Sequence, residues 1–279
     1  MKKGFFLFFV FFLTTLKAEI PGYRFLLLEK NPKLSATAGA GIAQFENDFM
    51  FISNPAVLDS GKKQIYFSYN KWLAGIKYGS FSFLYPLSGM AVSVDWLYDK
   101  QTKYNDTGED IGEFNNQEQI ITLSRSISLN QFIRTGISLK FFESKLSDEK
   151  ESKVSFDTGL YSLYKNFRLS AAANNIGSNS LPLTYKIAAG RQLLANVLMS
   201  GMEYEALRKG KDKLKFGLTY RINPEFSFYS GYRVWIKQKD FNDFTFGFGF
   251  NVDDFEFVYT FFPLGEIGIS HQAMMSVKF

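Results

Sequence analysis

Residues 244–250 read Phe-Thr-Phe-Gly-Phe-Gly-Phe: Phe244, Phe246, Phe248 and Phe250 fall on one side of an extended chain, and Thr245, Gly247 and Gly249 on the other. Successive side chains of a strand point to opposite faces, so this stretch is a strand with one aromatic and one nearly bare face. The period is two, the strand signal, not the 3.6 of a helix. The same alternation recurs outward from it in both directions. Leu214, Phe216, Leu218 and Tyr220 oppose Lys215, Gly217, Thr219 and Arg221. Ile133, Ile137, Leu139 and Phe141 oppose Arg134, Gly136, Ser138 and Lys140, and Ile65, Phe67 and Tyr69 oppose Tyr66, Ser68 and Asn70.

Carried along the chain, the alternation marks segments near 64–72, 75–85, 89–99, 117–127, 131–143, 153–164, 166–175, 183–192, 196–206, 213–222, 225–236, 243–252, 254–262 and 267–279. That is about fourteen, an even number, as single-chain bacterial barrels require. Most run about 9–13 residues, whereas a tilted strand needs roughly 9–11 to cross a bilayer and soluble strands average roughly 5–6. The connections alternate too. Short ones at 86–88, 128–130, 165, 192–196, 223–224 and 253 take turns with mostly longer, polar ones at 100–116, 144–152, 176–182, 207–212 and 237–242. A barrel demands short periplasmic turns and longer outer loops, and a soluble β-sandwich has no reason to produce them.

Composition agrees. The chain is 18% aromatic, yet its mean hydropathy is only −0.10, which is what one-for-one dilution of apolar by polar residues produces. With no cysteine there is no disulfide framework, thiolate metal site or Cys nucleophile. The pI of 9.1 owes much to Lys2, Lys3 and Lys17. Without them 29 basic residues stand against 27 acidic ones, scattered along the chain, so nucleic acid is not an expected partner.

The first residues read as an export signal: Lys2 and Lys3, an apolar run from Gly4 to Leu13, then small residues up to Ala18. The expectation is cleavage after Ala18, a plug over residues 19–62, and an outer-membrane barrel over 63–279. Residues 19–62 break every strand pattern. Asn31-Pro32, the run Ala36-Thr37-Ala38-Gly39-Ala40-Gly41 and Asn54-Pro55-Ala56 interrupt any alternation, because Pro removes ladder donors and Gly permits positive φ. A closed barrel of this size also leaves an interior wider than wall side chains can fill, since eight strands already suffice for packing. A compact segment in the lumen uses Leu26, Leu28, Phe49 and Phe51, which an exposed arm would waste.

The stretch Ser35 to Leu58 resembles the N-terminal signature of PorV/PorQ-type proteins and the wider FadL-like outer-membrane group. Gly39 and Gly41 match the glycines of that signature, Asp48 its acidic position, and Asn54, Pro55 and Ala56 its Asn-Pro-Ala. Asp157 to Tyr161, Asn175-Ile176-Gly177, Gly201 to Tyr204, Gly231-Tyr232-Arg233 and the terminal Ser270 to Phe279 fit the same group in order and spacing. The resemblance implies a fourteen-stranded barrel with an N-terminal hatch, one that either passes hydrophobic compounds or assists type IX protein secretion. Its expected partners are hydrophobic small molecules or secreted proteins.

The last residues, Met275, Val277 and Phe279, share a face and resemble the signal read by the barrel-assembly machinery, a second expected partner besides outer-membrane lipid. Parity sends the charges of Lys77, Asp95, Arg134, Lys140, Asp157, Lys215, Arg221, Arg233 and Glu256 to the lumen, because Arg or Lys on the lipid face costs about 2–4 kcal/mol at mid-membrane. Phe142, Leu163 and Trp235 are expected to face inward with them. His271, the only histidine, reads as interfacial. Ala38 to Gly41 lacks the Lys-Ser/Thr of a phosphate loop, and no catalytic or metal motif occurs. Asp106, Glu109 and Asp110 read as a solvated loop. No enzyme and no cofactor is expected.

Overall fold

Fourteen antiparallel strands follow one another in chain order and the last pairs with the first: Gln64 faces Leu84 on one side and Lys278 on the other. They are β1 Gln64–Lys71, β2 Lys77–Tyr85, β3 Met90–Tyr104, β4 Asp110–Ser128, β5 Ile133–Leu146, β6 Glu149–Tyr164 and β7 Phe167–Gly177, then β8 Thr184–Leu193, β9 Leu198–Leu207, β10 Lys213–Arg221, β11 Phe226–Trp235, β12 Asn242–Val252, β13 Phe255–Pro263 and β14 Ile269–Lys278. The computed structural model describes residues 23–44, 49–58, 61–72, 75–104, 107–146, 149–194, 197–236, 242–263 and 268–279. The export signal expected at residues 1–18, Asp48 and Asp106 lie outside the described residues.

Each expected segment falls on a strand. Along β1 burial alternates residue by residue, Tyr66, Ser68 and Asn70 inward and Ile65, Phe67 and Tyr69 outward. In β12 the phenylalanines face out and meet rings of neighbouring strands, Phe246 against Phe261 at 5.9 Å and Phe248 against Tyr259 at 5.5 Å, while Thr245, Gly247 and Gly249 face in. Every strand exposes large apolar side chains on the outward face, the pattern of a lipid-facing barrel.

Two expectations need correction. The stretches 100–116 and 144–152 are not mainly loop. β3 runs 15 residues, β4 19, β5 14 and β6 16, so these strands leave the barrel as a four-stranded ribbon. Both faces of that ribbon are wet, as at the consecutive exposed Lys150 and Glu151, so no apolar period marks it in the sequence. β7, β9, β11 and β13 end at the ribbon end of the barrel, and the short turns lie at the other. The second correction is Lys77. It has the parity of Phe81 and is exposed on the outward face at the ribbon end of β2, where headgroups and water remove the penalty for a charge.

The segment ahead of β1 lies inside the barrel. It descends from Tyr23, whose ring meets Phe142 edge-on at 5.0 Å, to Leu58. Both Asn-Pro dipeptides open helical turns. Asn31 accepts a hydrogen bond from the Lys33 amide at 2.9 Å and begins α1 (Pro32–Ala36); Asn54 does the same for the Ala56 amide at 2.9 Å ahead of a 3-10 turn at Pro55–Val57. Asn is a preferred N-cap, and Pro fits the first helical position, where its missing N–H has no intrahelical partner anyway. Phe49, Met50, Phe51, Leu34 and Ile42 then form an apolar core within the lumen, with Phe49 stacked on Tyr66 of the wall at 5.3 Å.

Candidate functional site: the lumen and the segment within it

A row of glycines lines the wall where part of the segment docks. Gly190, Gly201, Gly217 and Gly231 are direct cross-strand neighbours along β8, β9, β10 and β11, and all face inward. Residues 37–44 lie along this row. A Cβ on Gly231 would come 2.3 Å from the Thr37 carbonyl carbon, and one on Gly190 would come 2.1 Å from the Ala43 oxygen. A second pair, Gly136 and Gly159 on β5 and β6, receives Pro55 and Asn54 in the same way. The small-residue run of the segment is thus one half of a contact between bare backbones. Gly39 has φ +90°, a left-handed conformation that an L side chain rarely adopts, and the Lys215 side chain fills the space beside its Cα. Gly41 is buried in the turn Ala40–Ala43.

Polar side chains fix the register of this contact. The Asn54 amide donates to the Ser170 hydroxyl at 2.7 Å and to the Leu160 carbonyl at 3.1 Å. Thr245 and Thr260 donate to the Ala36 and Pro32 carbonyls, each at 2.8 Å. Gln44 accepts from Thr219 at 2.9 Å, and the Arg233 guanidinium donates to the Ala38 carbonyl at 3.3 Å.

The inward charges pair as their depth requires. Lys33 of the segment meets Glu256 of β13 at 2.7 Å. Lys140 bridges Asp157 at 2.7 Å and donates to Asn175 at 3.2 Å, and Asp157 also receives the Asn175 amide at 2.7 Å. Lys215 sits between Glu203 at 2.7 Å and Glu205 at 2.6 Å; Glu205 also binds Lys213 at 2.6 Å. Lys186 lies 3.7 Å from Glu29 of the segment, and Arg233 lies 3.5 Å from Asp243. Asp95 takes a hydrogen bond from Ser80, and Arg134 lies over the Tyr161 ring at 4.7 Å.

Arg221 departs from this pattern. It has inward parity, but it ends β10 and is exposed at the short-turn rim. Glu203, Glu205, Lys186 and Glu29 were not singled out from the sequence, although the inward parity of Glu203 and Glu205 on β9 was a usable sign.

Phe142 and Leu163 face inward, as does Trp235, whose indole donates to Asp243 at 3.3 Å. His271 is exposed on the outward face and shares a 2.7 Å hydrogen bond with the Tyr259 hydroxyl. Met275, Val277 and Phe279 are outward, and the Phe279 amide donates to the Lys63 carbonyl at 2.9 Å, closing the seam. Asp110 accepts from the Gly112 amide at 2.8 Å and Glu109 from Thr107 at 3.3 Å at the ribbon tip. Among the described residues no three His, Cys, Asp or Glu side chains converge as a metal site.

Two cavities flank Leu27, Leu28 and Glu29 between segment and wall. One, of ≈ 40 Å³, reaches Lys140, Asn174 and Lys186; the other, of ≈ 70 Å³, reaches Trp72, Phe262, Lys213 and Arg233. A cavity that takes up benzene measures roughly 150 Å³. With the segment docked, neither space admits so small an aromatic.

No family model and no curated protein matches the sequence. Solved structures do match the fold. The Ralstonia pickettii toluene transporter TbuX superposes with a TM-score of 0.66 at 11% identity, over 89% of this chain and 98% of that one. The Pseudomonas putida toluene transporter TodX gives 0.63 at 11% identity over 94% and 98% of the two chains. A Pseudomonas aeruginosa FadL homologue gives 0.63 at 10% identity over 90% and 98%. At such identities the likeness speaks for architecture: this chain has the fold of the FadL-like outer-membrane barrels.

Proposed function

We propose that the protein is an outer-membrane barrel that passes hydrophobic or small solutes, with the N-terminal segment as a displaceable plug. The short-turn end then faces the periplasm and the ribbon faces outside. The observation that carries this reading is the docking of residues 37–44 on a wall stripped to glycine. Backbone against backbone excludes solute while docked, and hydrogen bonds and ion pairs such as Asn54–Ser170 and Lys33–Glu256 must exchange for the segment to move. The relatives in fold that are described as toluene transporters support an uncharged, apolar solute class. The PorV/PorQ affiliation draws on the sequence signature Gly39, Gly41 and Asn54-Pro55-Ala56.

Deleting residues 21–60 while keeping the export signal tests the plug. The expected product is an assembled barrel, faster-migrating unboiled than boiled, with larger conductance in planar bilayers than the intact protein. An assembled deletion form that conducts no better means the segment is no plug. A second reading, a non-transporting accessory that holds secreted proteins, draws on the four-stranded ribbon standing clear of the barrel. It predicts a secreted protein co-purifying with the ribbon intact and lost when residues 99–118 are shortened to a tight turn.

A further inference from the structure

We infer that the outer wall of β6–β8 binds the headgroup of an anionic phospholipid at the short-turn end. Tyr164, Phe167 and Arg191 are successive cross-strand partners and face outward in one row. The Arg191 guanidinium lies over the Phe167 ring at 4.8 Å, and the Lys165 ammonium lies over the Tyr164 ring at 5.4 Å. Neither cation has a carboxylate partner among the described residues, which sets them apart from the paired lysines of the lumen. A cation held against a ring face keeps its stem on apolar surface and presents its charge to the headgroup layer.

Deeper in the belt the surface continues the site. The next row is Ser162, Leu169 and Ala189, and the row beyond it is Leu160, Ala171 and Ile187. Ser162, Ala171 and Ala189 are small, so they leave a shallow trough between Leu160, Leu169 and Ile187, open along the direction of an acyl chain. A phosphodiester between the two cations with one chain in this trough satisfies both features. A net anionic lipid such as phosphatidylglycerol fits; a phosphatidylcholine brings a cation of its own to an already basic place. The source is the inner leaflet of the outer membrane, which rests on the reading of the short-turn end as periplasmic.

Native mass spectrometry of the full barrel released from nanodiscs tests this. Equimolar phosphatidylglycerol and phosphatidylcholine should leave phosphatidylglycerol bound in preference. Lys165→Gln combined with Arg191→Gln should weaken that retention by roughly thirty-fold, the effect of two cations at an anionic surface. Lys71→Gln combined with Lys77→Gln removes two outward cations at the opposite end and should leave it unchanged. Heat-modifiable migration of every variant checks that the barrels are intact. Equal retention of the two lipids, or equal loss in both double variants, overturns the site. Sidedness is read separately: if Asn130→Cys is labelled from outside intact cells, the periplasmic assignment fails while the lipid result stands on its own.

Discussion

At the scale of single residues, the wall's glycines do what no side chain can. Gly231→Val would place a Cβ 2.3 Å from the Thr37 carbonyl carbon and 2.4 Å from the Ala38 amide, against backbone that cannot rotate away. Overpacking of this kind costs about 1–3 kcal/mol, and here it falls on docking of the segment, not on the barrel. The expected result is a barrel that still resists SDS when unboiled but whose segment is cut faster by added protease. The Lys33–Glu256 pair gives a second handle. Lys33→Met leaves a buried carboxylate unpaired, at a cost of about 3–5 kcal/mol, and adding Glu256→Gln should restore most of the loss. Protease release of the segment measures both; a double variant as loose as the single one means the pair does not hold the segment. Arg134, Lys140, Asp157, Lys215, Arg233 and Glu256, singled out by parity, lie on the inner side of their strands. Lys77 was assigned to the lumen against its parity, which is that of outward Phe81, and Arg221 has inward parity but is exposed, because at a strand end parity no longer decides what is buried. That Gly231 touches Thr37 leaves no local trace, since the contact joins residues far apart in the chain.

At the scale of elements, strands were legible where a bilayer enforces the pattern. Phe244 to Phe250 must present rings to lipid and small groups to the lumen, so the physics writes a period of two into the residues. Where β3 to β6 rise beyond the membrane, both faces are solvated and that demand ends, which is why residues 100–104 and 110–116 read as a loop but lie in strands. The turns of the segment were half legible. Asn31-Pro32 and Asn54-Pro55 announced interruptions, and the caps they form needed the amides of Lys33 and Ala56 in place. Sidedness belongs to this scale as well. A cysteine at Thr107, on the ribbon tip, should be labelled by an impermeant reagent on intact cells, and one at Asn130, in a short turn, should not. The reverse pattern would turn the barrel over.

At the scale of the molecule, a fourteen-stranded wall encloses more space than its own side chains fill, and the first described residues fill it. If the segment is the proposed plug, this filling moves to let solute through. The chain has no cysteine of its own, so Asn54→Cys with Ser170→Cys, at a contact now closed by a 2.7 Å hydrogen bond, introduces one defined cross-link between segment and wall. The measurement is entry of an uncharged monoaromatic solute into proteoliposomes carrying this variant, first oxidised, then reduced. A moving plug gives entry near the protein-free background while the disulfide is intact and a return to the unmodified protein's rate after reduction. Entry at the full rate through barrels shown by mass to be cross-linked would contradict it.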